Sequence, residues 1–165
     1  KGVGGLDQPS LDFASDINEQ CKKTGTLLIA DEVQSGFGRS GSFFSFQRFD
    51  FEPDFISMAK GMGNGFPVGG VLIHEKYEAV KSELGTTFGG NYLACRAALA
   101  VLDVLEEEDL MANARDLESH FRSEVDRLGI EAKIKGAGLM IGLDFGKSTA
   151  ALRKALLEES CLFVG

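Results

Sequence analysis

Apolar residues recur at Leu11, Phe13, Ala14, Ile17 and Cys21, a helical stripe over residues 11–24. Ser10 is placed to cap that helix and Gly25 to stop it. Directly after it, Leu27-Leu28-Ile29-Ala30 is an unbroken apolar run. It is too short for a buried helix and reads as a strand covered on both faces. Polarity resumes abruptly at Asp31 and Glu32, so both sit at the carboxyl end of that strand. A second run, Phe55-Ile56-Ser57-Met58-Ala59, ends at Lys60, and a third strand is expected over Val68–Ile73. About eight residues join the second strand to the third. That is too few for a helical crossover, so the two are antiparallel or are not neighbours.

Between the first two strands lies QSGFGRSGSFFSFQRFDFEPD, with three Gly, six Phe and no period of either kind. A loop this long and aromatic packs on something or forms part of a site. Beyond Asn91 the pattern becomes helical. Cys95, Ala98, Leu102 and Leu105 are spaced 3, 4, 3, and Leu110, Ala114, Leu117, Phe121, Val125 and Leu128 are spaced 4, 3, 4, 4, 3. The acidic break EEED at 106–109 divides the two helices and is the expected domain boundary, separating residues 1–106 from 107–165. Gly129 closes the second helix. A strand around Leu139–Phe145, a helix from about Ser148 to Ser160 and a terminal strand over Cys161–Gly165 complete an α+β tail. Lys1 opens the chain in a Gly-rich stretch and a bare apolar run closes it. Both features are expected of an internal piece of a larger protein, in which any site is incomplete.

Lys and Arg number 17 against 25 Asp and Glu, a net charge of −8, with 44% hydrophobic residues. The apolar share suffices for a core. The acidic balance argues against a nucleic-acid binder or a basic membrane-surface module. No run reaches the roughly 18 apolar residues of a membrane-crossing helix. The opening KGVGGLDQPS has neither region of a signal peptide. Cys21, Cys95 and Cys161 are odd in number, far apart and not at metal-ligand spacing. They read as buried thiols of a reducing, cytoplasmic compartment.

Asp31 and Lys60 are the chemically suggestive pair. Each terminates an apolar strand, and open α/β sheets bind ligands outside the carboxyl ends of their strands. Gly61, Gly63, Gly65, Gly69 and Gly70 follow Lys60 and let backbone approach a ligand closely. A lysine partly desolvated there becomes a competent amine nucleophile. The plainer alternatives are solvated strand ends, an ion pair between the two residues, or a tight Gly-rich connection without a ligand. The segment is not a phosphate-binding Walker loop, since GK[ST] is absent, nor a dinucleotide fingerprint. Arg39 is either an anion clamp or a loop ion-pair partner. His74 and His120 lack metal-spaced or nucleophilic partners and read as structural.

Three ordered segments, IADEVQSGFGRSG, ISMAKGMGNGFPVGG and TTFGGNYLACRAAL, resemble the class III aminotransferases. These are pyridoxal-phosphate enzymes of the type I aminotransferase fold. The likeness is greatest to the group acting on acetylornithine, succinylornithine and ornithine, and it covers essentially the whole chain. It implies an α/β fold with a mixed, mostly parallel sheet and flanking helices. Residues 1–106 would be the second half of the large cofactor-binding domain, and 107–165 the start of a small α+β domain. The resemblance assigns Lys60 as the lysine that condenses with the cofactor aldehyde, and Asp31 as the partner of the ring nitrogen. It gives Val33 packing against the ring, Gln34 a hydrogen bond to the ring hydroxyl, and Thr87 a contact with the phosphate of the neighbouring subunit's cofactor. The active unit would be a homodimer.

The implied reaction moves an amino group from N-acetylornithine or N-succinylornithine to 2-oxoglutarate, in arginine biosynthesis. The alternatives are another class III activity (ornithine or γ-aminobutyrate transamination, glutamate-semialdehyde aminomutation) or a non-catalytic piece that only dimerises. Val3 stands where the ornithine enzymes carry a glutamate that masks a substrate-binding arginine, which favours an acylated donor. Tyr92 replaces a usual proline, with no chemical effect expected. The family's main phosphate loop and ring-stacking aromatic lie upstream of the matched segments, and its carboxylate-binding arginine lies downstream. The 165 residues alone are therefore expected to be inactive.

Overall fold

A computed structural model describes residues 5–165 except 79, 82 and 84; Val3 lies outside the described residues. Helix α1 spans Leu11–Thr24. Ser10 Oγ accepts the Phe13 amide at 3.1 Å, and Gly25 takes the left-handed conformation that closes it. The apolar stripe does not face a core here: only Ala14 is buried, and Leu11 and Phe13 stand more than half exposed.

Strand β1 covers Ile29–Asp31, β2 covers Phe55–Met58 and β3 covers Gly70–Ile73, in the order β1-β2-β3. β1 and β2 are parallel, with Asp31 opposite Ser57. β2 and β3 are antiparallel, as the short connection requires. The sheet is therefore mixed, and the antiparallel return brings β3 back along β2. β1 is covered on one face only, in contrast to the expectation from its unbroken apolar run. Ala30 is buried, while Ile29 remains 64% exposed. The third strand begins at Gly70 rather than Val68, because the chain at Gly69 is still arriving against the Met58 carbonyl.

The aromatic loop between β1 and β2 packs on itself. Phe37, Phe43 and Phe44 form edge and tilted ring contacts with centroids 4.7–6.4 Å apart, and Phe44 stacks on Phe46. A single 3-10 turn, Ser45–Arg48, sits inside it. This loop is capped by helices α2 (Tyr92–Glu107) and α3 (Leu110–Arg127). Asn91 caps α2 by accepting the Ala94 amide at 3.0 Å. The buried face of α2 is Ala94, Ala98 and Leu105. The sequence pattern placed Cys95 and Leu102 on that face, but Cys95 is exposed and Leu102 is partly so. Small alanines let α2 approach closely, and they set the buried face in place of the bulkier neighbours. On α3 the buried positions are Ala114 and Val125. Asp109, in a left-handed conformation, separates the two helices at the acidic break.

A hairpin follows: β4 (Lys133–Ala137) pairs antiparallel with β5 (Met140–Asp144) through a two-residue turn at Gly138-Leu139. The sequence pattern did not show β4, because its apolar residues are few and Gly136 interrupts it. Helix α4 runs Ala150–Ser160. The terminal apolar run is not a strand. Cys161 adopts the left-handed cap conformation, the Leu162 amide returns to the Leu156 carbonyl at 2.9 Å, and Arg153 Nε donates to the Val164 carbonyl. These two bonds turn the run back onto α4 instead of extending it as a strand. Cys95 and Cys161 are exposed and Cys21 half-buried, so the expected burial of all three thiols is corrected. Among the described residues, no helix is long and apolar enough to cross a membrane.

Candidate active site

Asp31 is the last residue of β1, and its carboxylate is held on one side only. Oδ1 accepts Ser57 Oγ at 3.0 Å from the neighbouring strand and the Val33 amide at 3.2 Å from the turn that follows. Among the described residues Oδ2 has no hydrogen-bond partner. An ionised carboxylate with one oxygen spoken for and the other open is a preset acceptor for a single cationic N–H.

Lys60 follows β2 through Ala59 and opens a 3-10 turn, Lys60–Met62. Its φ of 47° is left-handed, a conformation that costs a non-glycine residue about 1–2 kcal/mol. The neighbours hold it there: the Lys60 carbonyl accepts the amides of Gly63 and Asn64, each at 3.1 Å. Gly63 is required, because a Cβ there would lie 2.3 Å from the Phe66 carbonyl oxygen. Strain of this kind concentrates at sites where a side chain must be aimed. The Lys60 amine has no ion-pair or hydrogen-bond partner among the described residues. The ion pair with Asp31, one of the plain readings of the sequence, is therefore not formed.

Asp31 and Lys60 line one cavity of about 450 Å³ at the carboxyl ends of the parallel strands, within the range of small-molecule sites. Val33 and Gln34 line it with them, as do Ser40 and Phe49 from the aromatic loop and Met140 from β5. Val33 lies past the strand end, in a turn. It reaches the cavity because that turn folds back onto Asp31. Thr87 is exposed and does not line this cavity. Arg39 has no ion pair among the described residues; its carbonyl instead accepts the Leu139 amide at 2.9 Å. His74 Nδ1 accepts the Lys76 amide, and His120 is exposed; neither lines this cavity.

Two residues that shape the site were not singled out by the sequence. Glu32 is 3% exposed, and its carboxylate accepts Ser35 Oγ at 2.7 Å and the amides of Ser45 and Phe46 at 3.0 and 2.8 Å. It anchors the aromatic loop across the strand end. Ser40 is buried, and its hydroxyl is without a partner among the described residues. A buried carboxylate flanked by two serines was visible in the sequence only as polarity.

At the opposite end of the sheet Asp54 clamps three segments. It accepts the Leu28 amide at 2.6 Å and the Tyr77 hydroxyl at 2.7 Å, and it pairs with Lys76 Nζ. The Lys76 contact, with the Leu28 and Tyr77 hydrogen bonds behind it, holds the Asp54 carboxyl far below the usual carboxylate range. The same contact raises the Lys76 amine. Burial, followed by the bond to Asp54, raises the Tyr77 phenol. These groups stabilise the strand starts and stand away from the cavity that holds Asp31 and Lys60.

The geometry thus defines a small-molecule site with a free amine and a half-free carboxylate on adjacent strand ends. The model of the family "Aminotransferase class-III" matches residues 1–163, and the chain belongs to the class III aminotransferases. It is 42% identical over 164 residues to the acetylornithine aminotransferase of Aquifex aeolicus, covering 98% of this chain and 43% of that protein. It is also 42% identical to the acetylornithine aminotransferase of Archaeoglobus fulgidus, over 94% of this chain and 42% of that one. Among solved structures, the ornithine aminotransferase of Plasmodium yoelii superposes with a TM-score of 0.86 at 29% identity, over all of this chain and 46% of its own. The taurine:2-oxoglutarate aminotransferase of Bifidobacterium kashiwanohense, in complex with PLP and glutamate, gives 0.79 at 30% identity, over 86% of this chain and 34% of its own. The chain spans less than half the length of these relatives.

Proposed function

We propose that the protein carrying this chain is a pyridoxal-phosphate-dependent transaminase that moves the δ-amino group of an N-acylornithine, acetylated or succinylated, to 2-oxoglutarate. The observation that carries this reading is the shared cavity of Asp31 and Lys60, in which each keeps a polar atom free of any partner among the described residues. The residues suit the cofactor. Lys60 Nζ is an unpaired amine for its aldehyde carbon, and Asp31 Oδ2 is an open acceptor for its ring N–H. Val33 offers an apolar surface to the ring, and Gln34 a polar group to its hydroxyl. The cofactor, when bound, supplies an electron sink for the carbon that loses its proton.

The chain's own groups do the rest. Asp31 would hold a ring N–H at Oδ2, the oxygen that its Ser57 and Val33 donors leave open. Lys60 Nζ, an amine with no partner among the described residues, would be the group that moves a proton at the substrate carbon. The aromatic loop forms one wall of the cavity through Ser40, Ser45 and Phe49, while Asp31 and Lys60 themselves are exposed rather than desolvated. The family resemblance gives Thr87, exposed and outside this cavity, a contact with the cofactor of a second copy, and with it a homodimer as the working unit. Residues 1–106 and 107–165 are assigned to the large and small domains, and the compartment is the cytoplasm. The acylated donor is supported by the acetylornithine aminotransferases at 42% identity and by Val3 in the position of the ornithine enzymes' glutamate. A second reading, ornithine itself as donor, is favoured by the fit to the Plasmodium yoelii ornithine enzyme.

Borohydride reduction of the full-length protein with pyridoxal phosphate, followed by peptide mapping, should place the label on Lys60. A label on any other side chain overturns the assignment. A panel of N-acetylornithine, N-succinylornithine, ornithine and γ-aminobutyrate with 2-oxoglutarate then separates the two donor readings. The 165-residue chain alone is expected to show no appreciable turnover.

A further inference from the structure

We infer that Ser57 is a positioning residue for the reaction: its hydroxyl fixes the plane of the Asp31 carboxylate so that Oδ2 faces the cofactor ring, an assignment that rests on the cofactor reading above. Ser57 is opposite Asp31 in the parallel register of β1 and β2. Its backbone carbonyl accepts the Glu32 amide at 3.0 Å, which carries the ladder one step past Asp31. The Ser57 side chain is then free of ladder duty and donates to Asp31 Oδ1 at 3.0 Å. The ionised carboxylate is acceptor-only, so the hydroxyl is the donor.

One donor would leave the carboxylate able to swing about its last torsion, which is a broad one. The Val33 amide supplies a second donor to the same oxygen from a different segment. Two donors from two directions define a plane, and both leave Oδ2 untouched. Both bonds fall on Oδ1, so the oxygen left without a partner among the described residues is Oδ2, on a residue that lines the cavity. Positioning of this kind matters because the contact to a ring N–H is directional and falls off steeply with misalignment.

The test compares Ser57→Thr, which keeps a hydroxyl on a β-branched side chain, with Ser57→Val, which keeps the shape and removes it, in the full-length protein. Ser57→Ala serves if the valine variant does not fold. Three quantities are read: pyridoxal-phosphate affinity by titration of the cofactor-free protein, the pH midpoint of the bound cofactor's visible band, and the melting temperature of the cofactor-free protein. The hydroxyl-free variants should bind cofactor about tenfold more weakly, the size of one hydrogen bond to a charged group. Their band midpoint should move upward, because a less firmly protonated ring nitrogen repels the proton at Lys60 Nζ less. Ser57→Thr should stay close to the unmodified protein in both, and melting should be alike in all. Equal affinity and equal midpoint in the threonine and hydroxyl-free variants would overturn the inference, as would losses that track melting alone. Borohydride mapping on the same samples separates the two levels. A label away from Lys60 sinks the cofactor reading, whereas a label on Lys60 with matched variants sinks only the part given to Ser57.

Discussion

Glu32 accepts the Phe46 amide at 2.8 Å across a separation of 14 residues. With the Ser45 amide and the Ser35 hydroxyl on the same carboxylate, it turns a Phe-rich loop into a wall of the site. Replacing it by alanine leaves buried donors unpaired, at a cost of about 2 kcal/mol or more. Chemical denaturation of Glu32→Ala should show a loss of that size, and cofactor affinity should fall because Ser45 and Phe49 of the wall line the cavity. An unchanged midpoint would show that the loop is held by its rings alone.

Lys60→Ala should remove the borohydride-trapped label entirely and lower transamination by at least about a hundredfold, the lower end of what a positioned acid–base group contributes. Folding should survive, because the substitution deletes an amine that bonds to nothing among the described residues. Circular dichroism and melting check the second half of the expectation, and product formation the first.

Asp31→Asn keeps the size of the side chain and its two incoming donors but discards the charge. Cofactor should still be trapped on Lys60, while turnover falls by about a hundredfold or more because the ring nitrogen is no longer held protonated. A variant with full turnover would remove Asp31 from the reaction.

Asp54 makes a prediction about pH. Its folded-state titration lies far below the ordinary value of about 3.9, so its stabilising contribution is present above that value and is lost as pH falls through the folded one. Lys76 is raised, so its contribution is present below about pH 10 and is lost as pH rises through its folded value. The melting temperature of Asp54→Asn should therefore trail the unmodified protein by a constant margin of several degrees between about pH 5 and 9. That margin should shrink in acid below about pH 4. A margin that stayed constant into strong acid would mean the clamp is not electrostatic.

Gly138→Ala should be among the costliest single changes in the chain. Its φ is +56°, which by itself costs an alanine about 1–2 kcal/mol. The added Cβ would also lie 2.5 Å from the Arg39 carbonyl oxygen and 2.6 Å from the Ser40 carbonyl carbon. Both are backbone and cannot turn aside. Stability should drop by more than the left-handed penalty alone, and the displaced Ser40 should weaken cofactor binding as well.

The parts of this architecture that show in the amino-acid order are those with a local cause. Apolar runs ended by Asp31 and Lys60 located the strand ends, and a connection of about eight residues narrowed β3 to an antiparallel neighbour of β2 or no neighbour, of which the first is found. Ser10, Gly25 and Asn91 bounded helices by chemistry confined to one turn. What stayed hidden depends on distant partners. β4 is a strand because β5 pairs with it, and neither Lys133 nor Ile134 advertises this. The phase of α2 is set by what packs on Ala94, Ala98 and Leu105, so Cys95 and Leu102 of the same pattern misled. Glu32 and Ser57 act through residues 14 and 26 positions away, a distance no periodicity reports. The roles of Val33, Gln34 and Thr87 came from family resemblance, and only the first two meet in the cavity.

The tight seat of Gly138 against Arg39 and Ser40, together with Arg115 donating to the Gly41 carbonyl, bears on any attempt to dissect this chain. Both braces belong to the stretch beyond 106, and both press on the stretch before it. An excised 1–106 peptide would carry the reactive pair but lose the scaffold behind its aromatic wall. Expression of the two portions together, rather than either in isolation, is the sensible route to a foldable preparation.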